Sequence, residues 1–332
     1  MRFAVFLASR ILTYLLVMWI GITTVFFVPR FMPTDPVEAM LGRVQAQGGF
    51  MEVQQVEALR RSLTTAFGLE GTLWEQYVGF FRNILFERDF GPSLAMFPTP
   101  VSTLIAEALP WTLGLLLTAT LFAWVLGNII GLLAGYRDDR FYSKVLEAVA
   151  VIIYPIPYYI LALVLIIFFA YLLPIFPMAT SVRGIPGTLQ FFQSVIHNSI
   201  LPGISIVIVG FGWWVISMKA LSSAIAEEDF VYFARLRGVR ENRIMIDYVM
   251  RNAVLPQITA LALMLGGIFN GALITEILFS YPGLGSLIHL AVLQSDYNLL
   301  MGAITLSVVA VATATMVIDL VYPFLDPRIR YK

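Results

Sequence analysis

The side chains that could do chemistry concentrate in one place. Between Lys219 and Arg251 a charged island separates two long uncharged runs, and its core reads Glu228-Asp229-Phe230-Val231-Tyr232-Phe233-Ala234-Arg235-Leu236-Arg237-Gly238. The chemistry is that of contact rather than bond making, because aromatic rings beside guanidinium groups are what well-anchored protein interfaces favour. A charged stretch between two spanning helices cannot stay in hydrocarbon, so it must form a structured loop at a water interface. Two readings fit these residues: a docking helix for another protein, or an interfacial helix whose Phe and Tyr sit at lipid headgroup level.

Bond-making chemistry finds little to work with. The chain has no G-x-x-x-x-G-K-[ST] phosphate loop, and no Gly-Lys dipeptide at all, so it does not bind ATP by that route. His197 and His289 are the only histidines, each without a nearby second ligand, and are read as structural or solvated rather than metal-binding. With no cysteine there are no thiolate metal sites, cysteine nucleophiles or disulfides. No Ser, His and Asp constellation or carboxylate pair converges on one site, so the chain is read as non-catalytic.

The elements that must carry the island are membrane spans. Of 332 residues 59% are hydrophobic and 13% charged, against about 25% charged in ordinary soluble domains. Mean hydropathy is +0.84. The 21 basic and 21 acidic residues cancel, leaving no basic excess for nucleic acid. Uncharged runs reach the roughly 20 residues that cross a bilayer at Ile11 to Pro29, Ala108 to Tyr136, Ala148 to Val182, Ile185 to Met218, Asn252 to Thr275 and Tyr297 to Ile318. Proline-rich connections within the third and fourth runs place those helices near Ala148 to Leu173 and Ser199 to Met218. The fold class is therefore all-α with six transmembrane helices. The first run is read as a retained span, since it exceeds a signal-peptide core and Phe26-Phe27-Val28-Pro29-Arg30 follows in place of a cleavage site.

Orientation follows from basic residues. With the amino terminus inside, the cytoplasmic flanks hold 14 Lys and Arg and the two short outer loops only Arg183, so both termini are expected in the cytoplasm. A secondary transporter or channel is the natural rival, but such proteins carry ionisable relays within their spans. Here Glu276 and Asp319 sit at the edges of the fifth and sixth spans, read as interface-facing, and the sequence shows no partner for either.

Three segments are predicted from this frame. Residues 1–29 hold the amino terminus and first span. Residues 30–107 form a helical extracytoplasmic insert, with helical spacing at Val53, Val56 and Leu59 and again at Trp74, Tyr77, Val78, Phe81 and Leu85; it is either a cap on the bundle or a contact surface. Residues 108–332 form the core, including the loop 219–251. The turn Arg137-Asp138-Asp139-Arg140 reads as a solvated loop that fixes topology. In the island, Gly238 suits the left-handed residue that ends a helix, with Arg235 and Arg237 complementing the helix carboxyl end. A second helical stretch restarts near Glu241, with Arg243, Asp247 and Arg251 at i,i+4 spacing, and Pro256 bends or restarts the chain into the fifth span. Gly266, Gly267, Gly271 and Ala272 permit close helix contact, whether for packing or for sliding.

The Ala-Arg-x-Arg-Gly segment ending at Gly238, followed by Arg251-Asn252-Ala253-Val254-Leu255-Pro256, resembles the loop of permease subunits of binding-protein-dependent ABC importers, in the dipeptide and oligopeptide branch. Further matches run almost end to end: Thr34-Asp35-Pro36-Val37, Phe67-Gly68-Leu69, Gln76-Tyr77, Asp89-Phe90-Gly91-Pro92-Ser93, Phe279 to Gly285, and Leu325 to Tyr331. The chain departs from the family where the general pattern has Glu-Ala-Ala and the peptide branch often Arg-Thr-Ala; here stand Tyr232, Phe233 and Ala234.

The resemblance implies that Glu228, Asp229, Tyr232, Phe233, Ala234, Arg235, Arg237 and Gly238 couple to an ATPase, with a secondary cytoplasmic contact at Arg137, Asp138, Asp139 and Arg140. It implies a candidate outer gate, or rigid outer hinge, at Tyr281, Pro282, Gly283 and Gly285. It also implies partners: a second homologous permease, two ABC ATPases that hold ATP and Mg, an extracytoplasmic solute-binding protein, and lipid of a bacterial or archaeal plasma membrane. This chain itself would hold no cofactor. The solute would be peptides or oligosaccharides; Tyr154-Pro155-Ile156-Pro157-Tyr158-Tyr159 and Phe97-Pro98-Thr99-Pro100 look more like the sugar members.

The basic asymmetry generates a test made clean by the absence of native cysteine. In Gly48→Cys the thiol is expected to react with an impermeant reagent added outside, and in Asn242→Cys it is not. Equal labelling at both positions would overturn the orientation.

Overall fold

The computed structural model describes residues 2–31, 35–46, 52–270 and 272–325. Thr34, Gly48, Gly271 and residues 326–332, which figured in the motifs and tests above, lie outside the described residues. The chain is all-α. It runs α1 (Arg2–Arg30), α2 (Pro36–Ala46), α3 (Val53–Ala66), α4 (Leu73–Arg82), α5 (Val101–Tyr136), α6 (Phe141–Ile153), α7 (Tyr158–Ile166), α8 (Leu189–Ala226), α9 (Asp229–Leu236), α10 (Glu241–Arg243), α11 (Arg251–Gly266), α12 (Leu273–Leu278), α13 (Leu284–Leu293) and α14 (Tyr297–Leu325). Among the described residues, 5 helices are long and apolar enough to cross a membrane, and α6 with α7 makes a sixth span if the bent pair counts as one.

The third span differs from the expected single helix because Pro155 and Pro157 withhold backbone donors. The chain turns by 93° between Phe141–Ile153 and Tyr158–Leu172. The tract Tyr154 to Tyr159, which looked like a mark of sugar transport, thus has a backbone role. The same holds for Phe97 to Pro100, where Pro100 bridges back to Pro92 in the turn that starts α5. The fourth helix begins at Leu189, well before the expected Ser199, because Thr188 caps it by accepting from the Phe191 amide at 3.2 Å. The fifth span ends at Gly266, where a 3₁₀ turn at Gly267–Asn270 leads on to α12, so Thr275 and Glu276 belong to a separate short helix.

The two longest helices set the frame. α5 has 36 residues and α8 has 38; at about 1.5 Å per residue each is on the order of 55 Å long, well beyond a hydrocarbon core of about 30 Å. They pack through glycines on one face of α5 at four-residue spacing. A Cβ on Gly127 would meet the Trp214 Cβ at 2.4 Å, one on Gly131 the Val215 carbonyl oxygen at 2.7 Å, and one on Gly135 the Lys219 carbonyl oxygen at 2.4 Å. Small residues at i, i+4 and i+8 let the two backbones touch, as close-packed membrane helices require.

α1 and α14 pack antiparallel, with Gly21 against Val308, Tyr14 hydrogen-bonded to Thr313 at 3.1 Å, and Arg10 paired with Asp319 at 2.9 Å. Asp319 therefore has a partner that the sequence did not reveal, and the start of α1 and the end of α14 lie at the same end of the bundle. In the insert, Val37, Leu41, Leu63, Phe67 and Leu94 make a small core with Val56 and Leu59 against it. Val53, expected on the same face, is exposed. α4 turns Tyr77 and Phe80 onto Phe26, with Tyr77 Oη 2.8 Å from Thr23 Oγ1, and leaves Trp74 and Val78 outside. The insert is locked to α14 through Asp296, which is fully buried. Its Oδ2 accepts from Ser93 Oγ at 2.5 Å and the Ala95 amide at 2.9 Å, and its Oδ1 accepts from the Leu299 amide at 3.0 Å.

The glycine seam is testable. Gly131→Ala forces a methyl onto backbone at van der Waals overlap and is expected to destabilise the protein by about 1–3 kcal/mol, read as a lower melting temperature in detergent. Gly114→Ala on the same helix, where a Cβ meets nothing within 4 Å, is the control and should lose nothing.

Candidate functional site

At the end of the bundle that carries the island, α8 runs to Ala226 and the chain turns at once into α9. Val231 and Ala234 face inward, buried against Leu132, Tyr136, Met218, Ile244, Val249 and Ala253. That leaves Phe230, Tyr232, Phe233 and Leu236 exposed, at 42%, 56%, 57% and 65%, as an apolar and aromatic surface. Phe230, Phe233 and Leu236, which recur at helical spacing, thus belong to the outward face. The inward face is marked only by two small residues three apart.

α9 ends as its sequence demands. Gly238 has φ +72°, its amide donates to the Arg235 carbonyl at 2.9 Å, and the Val239 amide donates to the Ala234 carbonyl at 3.2 Å. These two bonds satisfy carbonyls that a helix end leaves open, in the arrangement that favours glycine at the left-handed position. A Cβ on Gly238 would meet nothing within 4 Å, so backbone conformation rather than space selects glycine there.

The two arginines before Gly238 separate in role. Arg235 turns back on its own chain, with Nε 3.7 Å from Glu241 Oε1 and its guanidinium carbon 5.8 Å from the centre of the Tyr136 ring; Tyr136 Oη donates to Glu241 Oε2. Arg237 is exposed. Beyond them Arg243 pairs with Asp247 at 3.2 Å, and a π-helical stretch at Ile244–Met250 carries the chain into α11, upstream of Pro256. Pro256 lies inside α11.

The turn Arg137 to Arg140 follows α5 at the same end. Arg137, Asp139 and Arg140 are exposed, while Asp138 accepts from Lys219 Nζ at 2.7 Å and from Ser143 Oγ at 3.3 Å. The hydrogen bond from the Lys219 ammonium, with its charge, holds the Asp138 carboxyl below its ordinary range.

At the opposite end lie Tyr281, Pro282, Gly283 and Gly285. Only Pro282 is exposed. Tyr281 is buried, its Oη 2.9 Å from Ser199 Oγ and its ring edge-on to Trp111 at 5.7 Å. The centre of this loop is Glu276. Instead of facing an interface, Glu276 is fully buried; its Oε2 accepts from the amides of Gly285 at 2.6 Å and Ser286 at 3.1 Å, and its Oε1 accepts from Thr112 Oγ1 at 2.8 Å. Thr112 Oγ1 in turn accepts from the Leu284 amide at 2.8 Å. The first three amides of α13, which no intrahelical carbonyl can serve, are thus met by one carboxylate and one hydroxyl. A Cβ on Gly283 would stand 2.4 Å from the carboxyl carbon, and one on Gly285 2.7 Å from the Leu273 Cα, so here space selects glycine. The sequence signal was an acid followed by a Gly-x-Gly pair before an apolar helix.

Residues 127–331 match the model of the family described as binding-protein-dependent transport system inner membrane component. Among curated relatives, the chain is 30% identical over 316 residues to the oligopeptide transport system permease protein AppB of Bacillus subtilis, covering 94% of this chain and 95% of that protein. It is 29% identical over 277 residues to the dipeptide transport system permease protein DppB of the same organism, covering 82% and 85%. It is 28% identical over 326 residues to the oligopeptide transport system permease protein OppB of Haemophilus influenzae, covering 98% and 99%.

Gly238→Val is expected to strain the α9 terminus by about 1–3 kcal/mol, measured as faster hydrogen exchange at the amides of residues 238 and 239 with the spans unaffected. Gly238→Asn, which tolerates the left-handed conformation better, should exchange close to the native rate. Equal, unchanged protection in both variants would show that the terminus does not depend on this residue.

Proposed function

The chain belongs to the family of binding-protein-dependent transport system inner membrane components, and from that premise we propose how it works as the transmembrane subunit of a peptide ABC importer. Peptides, rather than oligosaccharides, are the substrate class: the relatives named above are dipeptide and oligopeptide permeases, and the two tracts that suggested sugars serve the backbone. The chain is a multi-pass inner-membrane protein.

Half of the translocation path is formed by this chain and half by a second, homologous permease. The island end faces the cytoplasm together with both termini, in keeping with the distribution of Lys and Arg. There α9 seats in a groove of an ATPase subunit, with Phe230, Tyr232, Phe233 and Leu236 as the contact and Arg237 at its edge; Arg235 shapes the helix from behind. The exposed face of α9, held on α8, is the observation that carries this reading, since a desolvated aromatic cluster is what anchors a protein interface. The turn 137–140 makes the secondary contact. ATP and Mg are bound by two ATPase subunits, and this chain does no bond chemistry of its own.

Closure of the ATPases on ATP displaces α9, and α8 carries the displacement through the membrane in an alternating-access cycle. At the outer end, the loop around Tyr281 moves as one piece because Glu276 ties it to α5 and α13, which makes it a rigid hinge for the gate. An extracytoplasmic solute-binding protein delivers the peptide against that end and the insert.

Reconstitution tests the function. Peptide uptake into vesicles is expected to require ATP, the ATPases and the binding protein together, and flux through this chain alone would overturn the importer reading. Within the complete transporter, Phe233→Ala combined with Arg237→Glu should lower recovery of the ATPases in a pull-down about tenfold, or about 1.4 kcal/mol, with membrane insertion intact. Full recovery would remove α9 from the contact.

A further inference from the structure

A buried lysine near the end of α8 has no part in the function so far described. Lys219 Nζ lies 2.7 Å from Asp138 Oδ1 and 2.7 Å from Glu147 Oε2, and its side chain is 10% exposed while the two carboxylates are about half exposed at 56% and 48%. The three groups come from three elements: Asp138 from the turn after α5, Glu147 from α6, and Lys219 from α8 just ahead of α9. One ammonium has three donors, so it can satisfy two carboxylates at once by pointing between them.

What this cluster adds can be separated from what the helices already do. α5 and α8 are fixed to one another by the seam at Gly127, Gly131 and Gly135, which involves no charge. α6 is different, because it is the first half of the span that breaks by 93° before Tyr158. Near that bend α6 backs directly on α8, where a Cβ on Gly212 would meet the Ala150 carbonyl oxygen at 3.0 Å, so it is the other end of α6, near Phe141, that needs holding. Ser143, whose Oγ donates to the Ala134 carbonyl at 2.7 Å, fastens the α6 start to α5, and Lys219 fastens both the turn and the body of α6 to α8.

We propose that Lys219 is a positioning residue for transport, clamping α6 and the 137–140 turn to α8 so that the two cytoplasmic contacts move as a single body when α9 is driven. The proposal rests on the importer reading given above. A thrust delivered at α9 then reaches both halves of the broken span. Without the lysine, two carboxylates face each other with no cation between them, and the Phe141 end of α6 loosens from α8 while the glycine seam and the Gly212 contact hold.

The experiment uses the complete transporter with this cysteine-free chain carrying spin labels at Phe141→Cys and Asn242→Cys, both exposed. In the otherwise native chain the distance between labels should be narrow and the same in every nucleotide state. In Lys219→Met, which keeps the length and apolar stem, the distribution should broaden, and peptide moved per ATP hydrolysed should fall about fivefold or more. Lys219→Arg should restore both. If Lys219→Met does not assemble, the pair Asp138→Asn with Glu147→Gln, on the exposed partners, gives the same two readouts. Narrow distances with unaltered peptide per ATP in either variant overturn the clamp. ATP-independent flux by the native chain would instead overturn the importer reading, and the label distances would still decide the clamp.

Discussion

Direct contact between the backbones of α5 and α8 is the constraint on which the other features rest. Gly127, Gly131 and Gly135 leave no room for a methyl group, so the two longest helices of the chain lie against one another along one end of the bundle. In lipid, helices gain little from hiding apolar surface, since the surroundings are equally apolar, and dispersion between closely fitted surfaces takes over as the source of association. The seam thereby makes one stiff unit of two helices that both extend beyond the membrane. Everything at the island end hangs from that unit: the 137–140 turn from α5, the short helix α9 from α8, and Lys219 between them.

The two ends of the bundle solve the problem of ordered loops differently. At the island end, α9 is held by small buried residues, by a glycine in the left-handed conformation, and by Arg235 and Glu241 against Tyr136. These are modest contacts with water nearby, and they leave an apolar face open. At the other end, the loop around Tyr281 and the junction of the insert with α14 are each organised around a fully buried carboxylate, Glu276 and Asp296, whose oxygens are filled by backbone amides and hydroxyls. A buried carboxyl group is tolerated only where such donors converge, so these loops have one geometry. An open apolar face on a stiff stalk and a locked loop at the far end fit the coupling proposed above, in which force is received at one end and a fixed edge is presented at the other.

Much of this was legible in the residues. Long uncharged runs gave the spans, and the island at Lys219 to Arg251, with Gly238 at the end of its helix, was marked by composition and one turn signal. What escaped was set by contacts far apart in sequence. Asp319 and Arg10 are 2.9 Å apart across the first and last helices. Glu276, read as a residue at a span edge, is buried because Thr112 and the start of α13 come to it. Proline tracts that looked like a mark of substrate class proved to bend the third span and shape the approach to α5.

The sequence by itself determined which segments are apolar enough to span a membrane, where the charged island stands and that its helix ends at Gly238, because hydropathy, charge and left-handed backbone preference are properties of neighbouring residues. Only the tertiary structure decided which face of α9 is free, that Arg235 pairs with Glu241 of its own chain, and that three glycines of α5 form a seam against α8. Those outcomes depend on how close two backbones come and on which distant donor reaches a buried charge. Neither distance is written in the spacing of residues along one chain.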